Sequence, residues 1–96
     1  MRVVCISDTH NQHNKIDLPE GDVLVHSGDF SGTGTLKQVT DFMGWFSSRP
    51  HPHKILVAGN HDITLDLPFY ENNWHRFHKT RLFASGIKNF VSRSGV

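Results

Sequence analysis

The sequence predicts an α/β fold built on a mainly parallel β-sheet. Three short apolar runs, rich in β-branched residues, lie at residues 3–6, 23–25 and 55–57. They show no polar alternation, which is typical of strands buried on both faces of a parallel sheet. One segment with helical spacing lies between the second and third runs, and another follows the third. Strands that alternate with helices indicate parallel connections, so we expect a sheet flanked by helices.

The first helix is predicted after the second strand. Apolar residues recur at helical spacing from Thr35 to Ser48. Thr35 and Gln38 have the spacing of a capping box, in which each side chain bonds the backbone of the other residue. Pro50 and Pro52 cannot continue the hydrogen-bond ladder of a helix, so we expect the helix to end before them.

A second helix is predicted after the third strand. Asp66 is a residue type that caps helices, and Pro68 falls in the first turn, where a missing N–H is tolerated. Tyr70, Trp74 and Phe77 would then lie on one face of this helix. We expect these aromatic side chains to be core or interface residues.

Length and composition limit what the protein can be. The chain has 96 residues, which is about one small domain by the usual range of roughly 100 to 200 residues per domain. Cys5 is the single cysteine, so an internal disulfide is excluded, and alternation along the first strand places this thiol inside the sheet as an inert residue. The longest apolar runs are far shorter than the roughly 20 residues that span a bilayer. We therefore expect a cytoplasmic protein without a membrane partner.

Charge is segregated along the chain, although the net charge is only +1. Residues 1–71 contain five Lys or Arg and nine Asp or Glu, whereas residues 72–96 contain five Lys or Arg and no acidic residue. Because these positive residues are spread out rather than clustered, we do not expect nucleic-acid binding.

Polar residues follow the three strands at the point where each strand ends. Asp8 follows the first strand, Asp29 the second and Asn60 the third, with His10 and His61 close in sequence. In open α/β sheets, ligands bind at the carboxyl ends of the strands. We therefore expect these five side chains to converge.

The chemistry of these side chains indicates a metal centre. Carboxylate and amide oxygens together with imidazole nitrogen suit Mn, Fe or Zn. Asp8 and His10 could hold one ion, and Asp29 could bridge it to a second ion that also binds the Asn60 oxygen. Two ions roughly 3.5 to 4 Å apart can clamp a phosphoryl oxygen and activate a bridging water or hydroxide. His61 would then stabilise the transition state or protonate the leaving group.

At these residues the sequence resembles the calcineurin-like metallophosphoesterases, whose pattern is DxH, then GD, then GNH followed by Asp or Glu. Here the three motifs stand in order at residues 8–10, 28–29 and 59–62. The stretches VCISDTH, GDVLVHSGDF and ILVAGNHD are most similar to the branch of metallophosphoesterase-domain-containing proteins, through most of residues 1–79.

This resemblance implies both a fold and a set of roles. The fold of the family is a sandwich of two sheets with flanking helices. The site would contain two divalent ions and act on a phosphate ester. The resemblance implies that the metal ligands are Asp8, His10, Asp29 and Asn60, and that His61 is the catalytic acid with Asp62 as its neighbour.

Two departures from the family pattern modify these expectations. The GDxxDRG motif of protein Ser/Thr phosphatases is replaced by Gly-Asp-Phe-Ser-Gly-Thr-Gly at residues 28–34, which favours the phosphodiesterase-like branches. The later histidine and GHxH motif of the family have no counterpart in this sequence. We therefore expect residues 1–79 to form the N-terminal part of a metallophosphoesterase domain with an incomplete second metal site. Residues 80–96 would form a basic tail of unassigned structure.

Three functions are compatible with these residues. The first is hydrolysis of a small phosphate diester or monoester, nucleotides included, by a dinuclear metal centre. The second is a catalytically inactive fragment that binds a metal or a partner. The third, phosphoryl transfer of the haloacid-dehalogenase type, needs a second carboxylate where His10 stands and ranks last. We further expect His26 either in the core or in support of the metal ligands, and His13 in a solvated loop. Self-association is expected through an exposed sheet edge.

Overall fold

The computed structural model describes residues 1–96, and its centre is a three-stranded parallel sheet. The strands are β1 (Val3–Ile6), β2 (Val23–His26) and β3 (His53–Leu56), arranged in the order β1-β2-β3. Val3, Val23 and His53 lie side by side at one end of the sheet. The α/β prediction is confirmed, and β3 begins two residues earlier than predicted.

Helix α1 (Leu36–Ser47) covers one face of the sheet. The capping box is present: Gln38 N–H donates to the Thr35 side chain, and the Gln38 side chain accepts from the Thr35 N–H. The buried side of the helix packs with Val4 and Leu24 of the sheet. Burying a large apolar side chain contributes about 1.5 to 3 kcal/mol. The main core therefore lies between the sheet and α1, with buried residues Val4, Leu24, Phe30, Val39, Phe42, Met43, Phe46 and Ile87.

Helix α2 (Leu67–Asn73) begins as predicted. The Asp66 side chain accepts a hydrogen bond from the Phe69 N–H at 3.1 Å, and Pro68 lies in the first turn. Tyr70 is fully buried, but the helix gives way to a 3-10 turn at Trp74–Arg76. Of the predicted aromatic face, Tyr70 is therefore in the core, while Phe77 is only partly covered.

The C-terminal segment contains a third helix, α3 (Ala84–Ser92). Its Ile87 belongs to the main core, and its Ala84 packs with Ile63 and Tyr70 in a second, smaller apolar cluster. Part of the predicted basic tail is thus built into the fold, where α3 packs against both α1 and α2.

The opposite face of the sheet is not covered within this chain. Val3, Ile55 and Val57 are each about half exposed, at 51%, 52% and 53%, and Cys5 is also exposed. The expectation that the strands would be buried on both faces is therefore wrong for this chain, and so is the placement of Cys5 inside the sheet. None of the helices is both long and apolar enough to cross a membrane.

Candidate metal centre

The loops after β1 and β2 are held in an uncommon backbone conformation. Asp8, His10, Asn11 and Asp29 all have positive φ, between 42° and 61°, and no other non-glycine residue does. A left-handed conformation costs an L-residue roughly 1 to 2 kcal/mol. Hydrogen bonds between the two loops offset this cost: Asp8 N–H donates to Gly28 O at 2.9 Å, and His10 N–H donates to Asp29 O at 3.0 Å. Such strain is characteristic of functional sites.

Three side chains that can bind metal converge at the carboxyl edge of the sheet. One ligand atom from each of Asp8, His10 and Asp29 lies within 4.8 Å of the other two. His10 Nε2 and Asp8 Oδ1 are 3.8 Å apart. A hydrogen bond from Ser7 lowers the pKa of the Asp8 carboxyl below its usual value, so this oxygen is ionised at neutral pH. Two carboxylates and one imidazole form a donor set that fits a divalent transition metal.

Asn60 joins this group through its side-chain amide. In one orientation the amide nitrogen donates to both Asp29 carboxylate oxygens, at 2.8 and 2.9 Å. In the other orientation the Asn60 amide oxygen faces the two Asp29 carboxylate oxygens. A cation shared by Asn60 and Asp29 would compensate the repulsion among these three oxygens. The amide is thus placed where it could turn its oxygen toward an ion at Asp29.

His61 lies at the rim of the site, exposed to solvent. Its backbone N–H donates to Asp29 Oδ1 at 2.8 Å, and its Nδ1 lies 3.2 Å from the Gly32 carbonyl oxygen. Because a carbonyl only accepts, Nδ1 carries the hydrogen and Nε2 is the nitrogen that can take or give a proton. The His61 ring meets the His10 ring edge to face, with centroids 4.6 Å apart.

Asp62 connects the loops after β2 and β3. Its buried carboxylate accepts from the backbone N–H groups of Asp29, Phe30, Ser31 and Gly59, and from the Ser31 hydroxyl at 2.6 Å. The sequence identified Asp62 only as a neighbour of the catalytic histidine. The position of Asp62 next to the GNH motif was the only sequence signal for a role at the site. Its role as an acceptor could not be predicted, because it depends on the loop at residues 29–31, which is distant in sequence.

Two glycines allow the same two loops to touch. A Cβ added to Gly28, whose φ is +116°, would lie 2.8 Å from the Gly59 Cα. A Cβ on Gly59 would overlap the backbone and carboxylate of Asp29. The glycines of the GD and GNH motifs are therefore required by this close approach.

His26 and His13 are both buried, and neither belongs to the group of ligand atoms. His26 Nδ1 accepts the Gly28 N–H at 3.1 Å, so Nε2 carries the hydrogen and donates to Thr9 Oγ1 at 2.9 Å. Burial lowers the pKa of His26 and keeps it neutral. His13, expected in a solvated loop, is instead only 3% exposed and packs against Phe42 and Trp45.

The family model for calcineurin-like phosphoesterases matches residues 1–95. The chain belongs to the calcineurin-like phosphoesterase family. Its members are metal-dependent phosphoesterases, typically with a dinuclear centre. The resemblance of the three motifs to this family is thereby confirmed, and the match extends through α3. Metal ligation by individual residues stays a prediction.

Several curated proteins are similar to this calcineurin-like chain. Metallophosphoesterase domain-containing protein 1 of Homo sapiens is 47% identical over 68 residues, which cover 71% of this chain and 21% of that protein. A UPF0046 protein of Caenorhabditis elegans is 44% identical over 66 residues, 69% of this chain and 23% of that protein. Probable rhamnogalacturonate lyase C of Emericella nidulans is 45% identical over 91 residues, 95% of this chain and 8% of that protein. The chain thus spans less than a quarter of the length of these relatives.

Proposed function

We propose that this chain carries the metal-binding loops of an enzyme that hydrolyses small phosphate esters, with diesters preferred over monoesters. The observation that carries the proposal is the convergence of Asp8, His10 and Asp29, whose ligand atoms lie within 4.8 Å of one another at the carboxyl edge of a parallel sheet. This edge is where α/β sheets bind their ligands.

Each ligand has a distinct place in the proposed centre. Asp8 and His10 would hold one divalent ion, Mn, Fe or Zn. Asp29 lies between this pair and Asn60, so its carboxylate could face a second ion that also binds the Asn60 oxygen. When bound, the ions would supply positive charge that polarises the phosphoryl group and lowers the pKa of a water molecule.

His61 would supply the proton for the leaving group. The contact between Nδ1 and the Gly32 carbonyl orients the His61 ring. The bond from the backbone N–H of His61 to Asp29 holds the His61 backbone in place. The ring would act in its imidazolium form, with hydrogens on both nitrogens, and pass the Nε2 proton to the ester oxygen as the P–O bond breaks, so that the alcohol leaves neutral and the ring keeps the hydrogen on Nδ1. A water molecule would supply the oxygen of the new P–O bond and release one proton to the solvent.

The loop after Asp29 supports small esters rather than phosphoproteins. Its backbone N–H groups donate to neutral or acidic side chains: Ser31 N–H donates to Asp62, Gly32 N–H to Asn11 and Thr33 N–H to Gln38. No arginine takes part in these bonds, in contrast to the GDxxDRG pattern that holds phosphate in protein phosphatases.

Hydrolysis of two chromogenic esters tests the proposal. Bis(p-nitrophenyl) phosphate and p-nitrophenyl phosphate are incubated with the chain and Mn²⁺ or Zn²⁺. We expect faster release from the diester, and a rate lower by about a hundredfold in His61→Ala with its metal content unchanged. The control is His75→Ala, an exposed histidine in the Trp74–Arg76 turn. Metal binding without turnover of either ester would support the inactive metal-binding alternative, and loss of metal in His61→Ala would place His61 among the ligands.

A further inference from the structure

A hollow of about 440 Å³ lies directly beside the proposed centre. Its polar side is formed by Asn60 and His61, and its other side by apolar residues of the segment that follows them. The volume lies in the range of about 300 to 1,000 Å³ that is usual for small-molecule sites. The lining residues are Gly32, Thr33, Asn60, His61, Ile63, Phe69 and Phe77.

The apolar side of the hollow has an aromatic character. Phe69 of α2 and Phe77 beyond it lie with ring centroids 6.1 Å apart and planes at 49°. Phe69 and Phe77 are 37% and 41% exposed, whereas Ile63, which lines the same hollow, is 3% exposed. No acidic side chain lines the hollow. The Arg76 guanidinium lies near the Phe77 ring, 5.9 Å from its centroid. Two partly exposed rings together with a buried isoleucine are suited to a flat, uncharged ring, because edge and face contacts add to the area buried.

We infer that this hollow binds the organic group of the ester, and that this group is an uncharged aromatic ring. The inference rests on the proposed function, because a phosphate held at Asp29 and Asn60 would direct its ester group past His61 toward Phe69 and Phe77. A strongly hydrated group would lose water against these rings without gaining a hydrogen-bond partner. A more apolar hollow between α1 and α3 includes Phe90 but contains none of the predicted site residues.

Binding of two phosphonates that cannot be hydrolysed tests this inference. Phenylphosphonate and methylphosphonate share the phosphorus group and differ in the ring. Each is titrated into the full chain with Zn²⁺ and followed by ¹H–¹⁵N NMR. We expect phenylphosphonate to bind about tenfold more tightly, from the apolar area and ring contacts that it gains, and to shift the amides of Thr33 and Ile63.

Leucine variants connect the preference to the two rings. In Phe69→Leu/Phe77→Leu the preference should fall to about twofold, because apolar area remains but aromatic contact is lost. Phe90→Leu is the matched control, since that ring is 43% exposed on α3 and outside this hollow. Thermal melting of each variant verifies folding.

The outcomes separate this inference from the proposed function. Equal binding of the two phosphonates, or a ring preference that survives in Phe69→Leu/Phe77→Leu, would overturn the inference while leaving the phosphoesterase proposal in place. Loss of the preference in Phe90→Leu would overturn it as well. If neither phosphonate binds in the presence of Zn²⁺, the proposed function fails and the inference fails with it.

Discussion

Replacing the buried Asp62 with asparagine removes a charge from the point where two ligand loops meet. Oδ2 accepts from the N–H groups of Asp29, Phe30 and Gly59, and Oδ1 accepts from the N–H and hydroxyl of Ser31. Asparagine can keep only one acceptor oxygen. Its most favourable orientation puts the oxygen at the Oδ2 position and the NH₂ group at Oδ1, where it opposes the Ser31 N–H.

The size of the effect follows from these bonds. Leaving the buried Ser31 N–H without an acceptor costs about 1 to 3 kcal/mol. The bonds that remain at the Oδ2 position become weaker, because charge-assisted hydrogen bonds are roughly twice as strong as neutral ones. We expect Asp62→Asn to lower the free energy of unfolding by about 3 kcal/mol. For a domain of this size, that corresponds to a fall of about 12 to 24 °C in the melting temperature.

Urea unfolding followed by circular dichroism measures this change. The matched control is Asp66→Asn, the same substitution four residues later. Asp66 is exposed and caps α2, and asparagine caps helices about as well as aspartate, so its effect should stay within about 0.5 kcal/mol. A value for Asp62→Asn within that same range would refute the assignment of Asp62 as the connection between the loops.

Three further predictions concern the buried histidines and the open face of the sheet. His26→Phe should weaken Mn²⁺ binding by at least about tenfold, because the mutant loses the hydrogen bonds of His26 to the ligand loops. The control is His51→Phe, at a buried histidine bonded to Pro19, which should leave Mn²⁺ binding unchanged; equal effects in calorimetric titrations would contradict this prediction. Burial lowers the pKa of both His26 and His13, so the unfolded chain binds more protons, and urea unfolding should show stability falling as the pH drops below about 6.5. Unchanged stability would show that these rings are not held neutral. Ile55→Lys on the exposed face of the sheet should reduce self-association, measured as the sedimentation mass. Leu36→Lys, at a similarly exposed position on α1, should not reduce it. Similar sedimentation masses for the two variants would exclude the open sheet face as the contact surface.

Local signals in the sequence predicted much of the fold. The Thr35–Gln38 capping box and the Asp66 cap each lie within four residues of the groups that they bond, so their spacing alone located the starts of α1 and α2. Helix α3 was not predicted. Phe83 precedes it without a side-chain cap, and Gly86 in its first turn has a low helix propensity. The spacing of Ile87, Phe90 and Val91 was the signal that could have identified this helix.

Burial depends on what covers a surface, and a strand sequence does not carry that information. Cys5 and Ile55 have the residue types of interior strand positions, yet both are exposed because α1 packs on the other face. The same limit applies to Asp62 and His26. Their hydrogen-bond partners are brought to them by loops that are remote in sequence, so pattern and spacing could place them near the site but not show their contacts.

Metal binding by the wild-type chain and by Asp29→Asn is the most direct test of the proposed centre. Each protein is equilibrated with Mn²⁺, freed of unbound metal and analysed for metal per chain, with Asp41→Asn, an exposed carboxylate on α1, as the control. We expect the wild type and Asp41→Asn to retain the ion and Asp29→Asn to lose most of it, because an amide cannot compensate the charge that the carboxylate balances. Full metal content in Asp29→Asn, or no metal in the wild type, would contradict the assignment of a divalent-metal centre to these three strand ends.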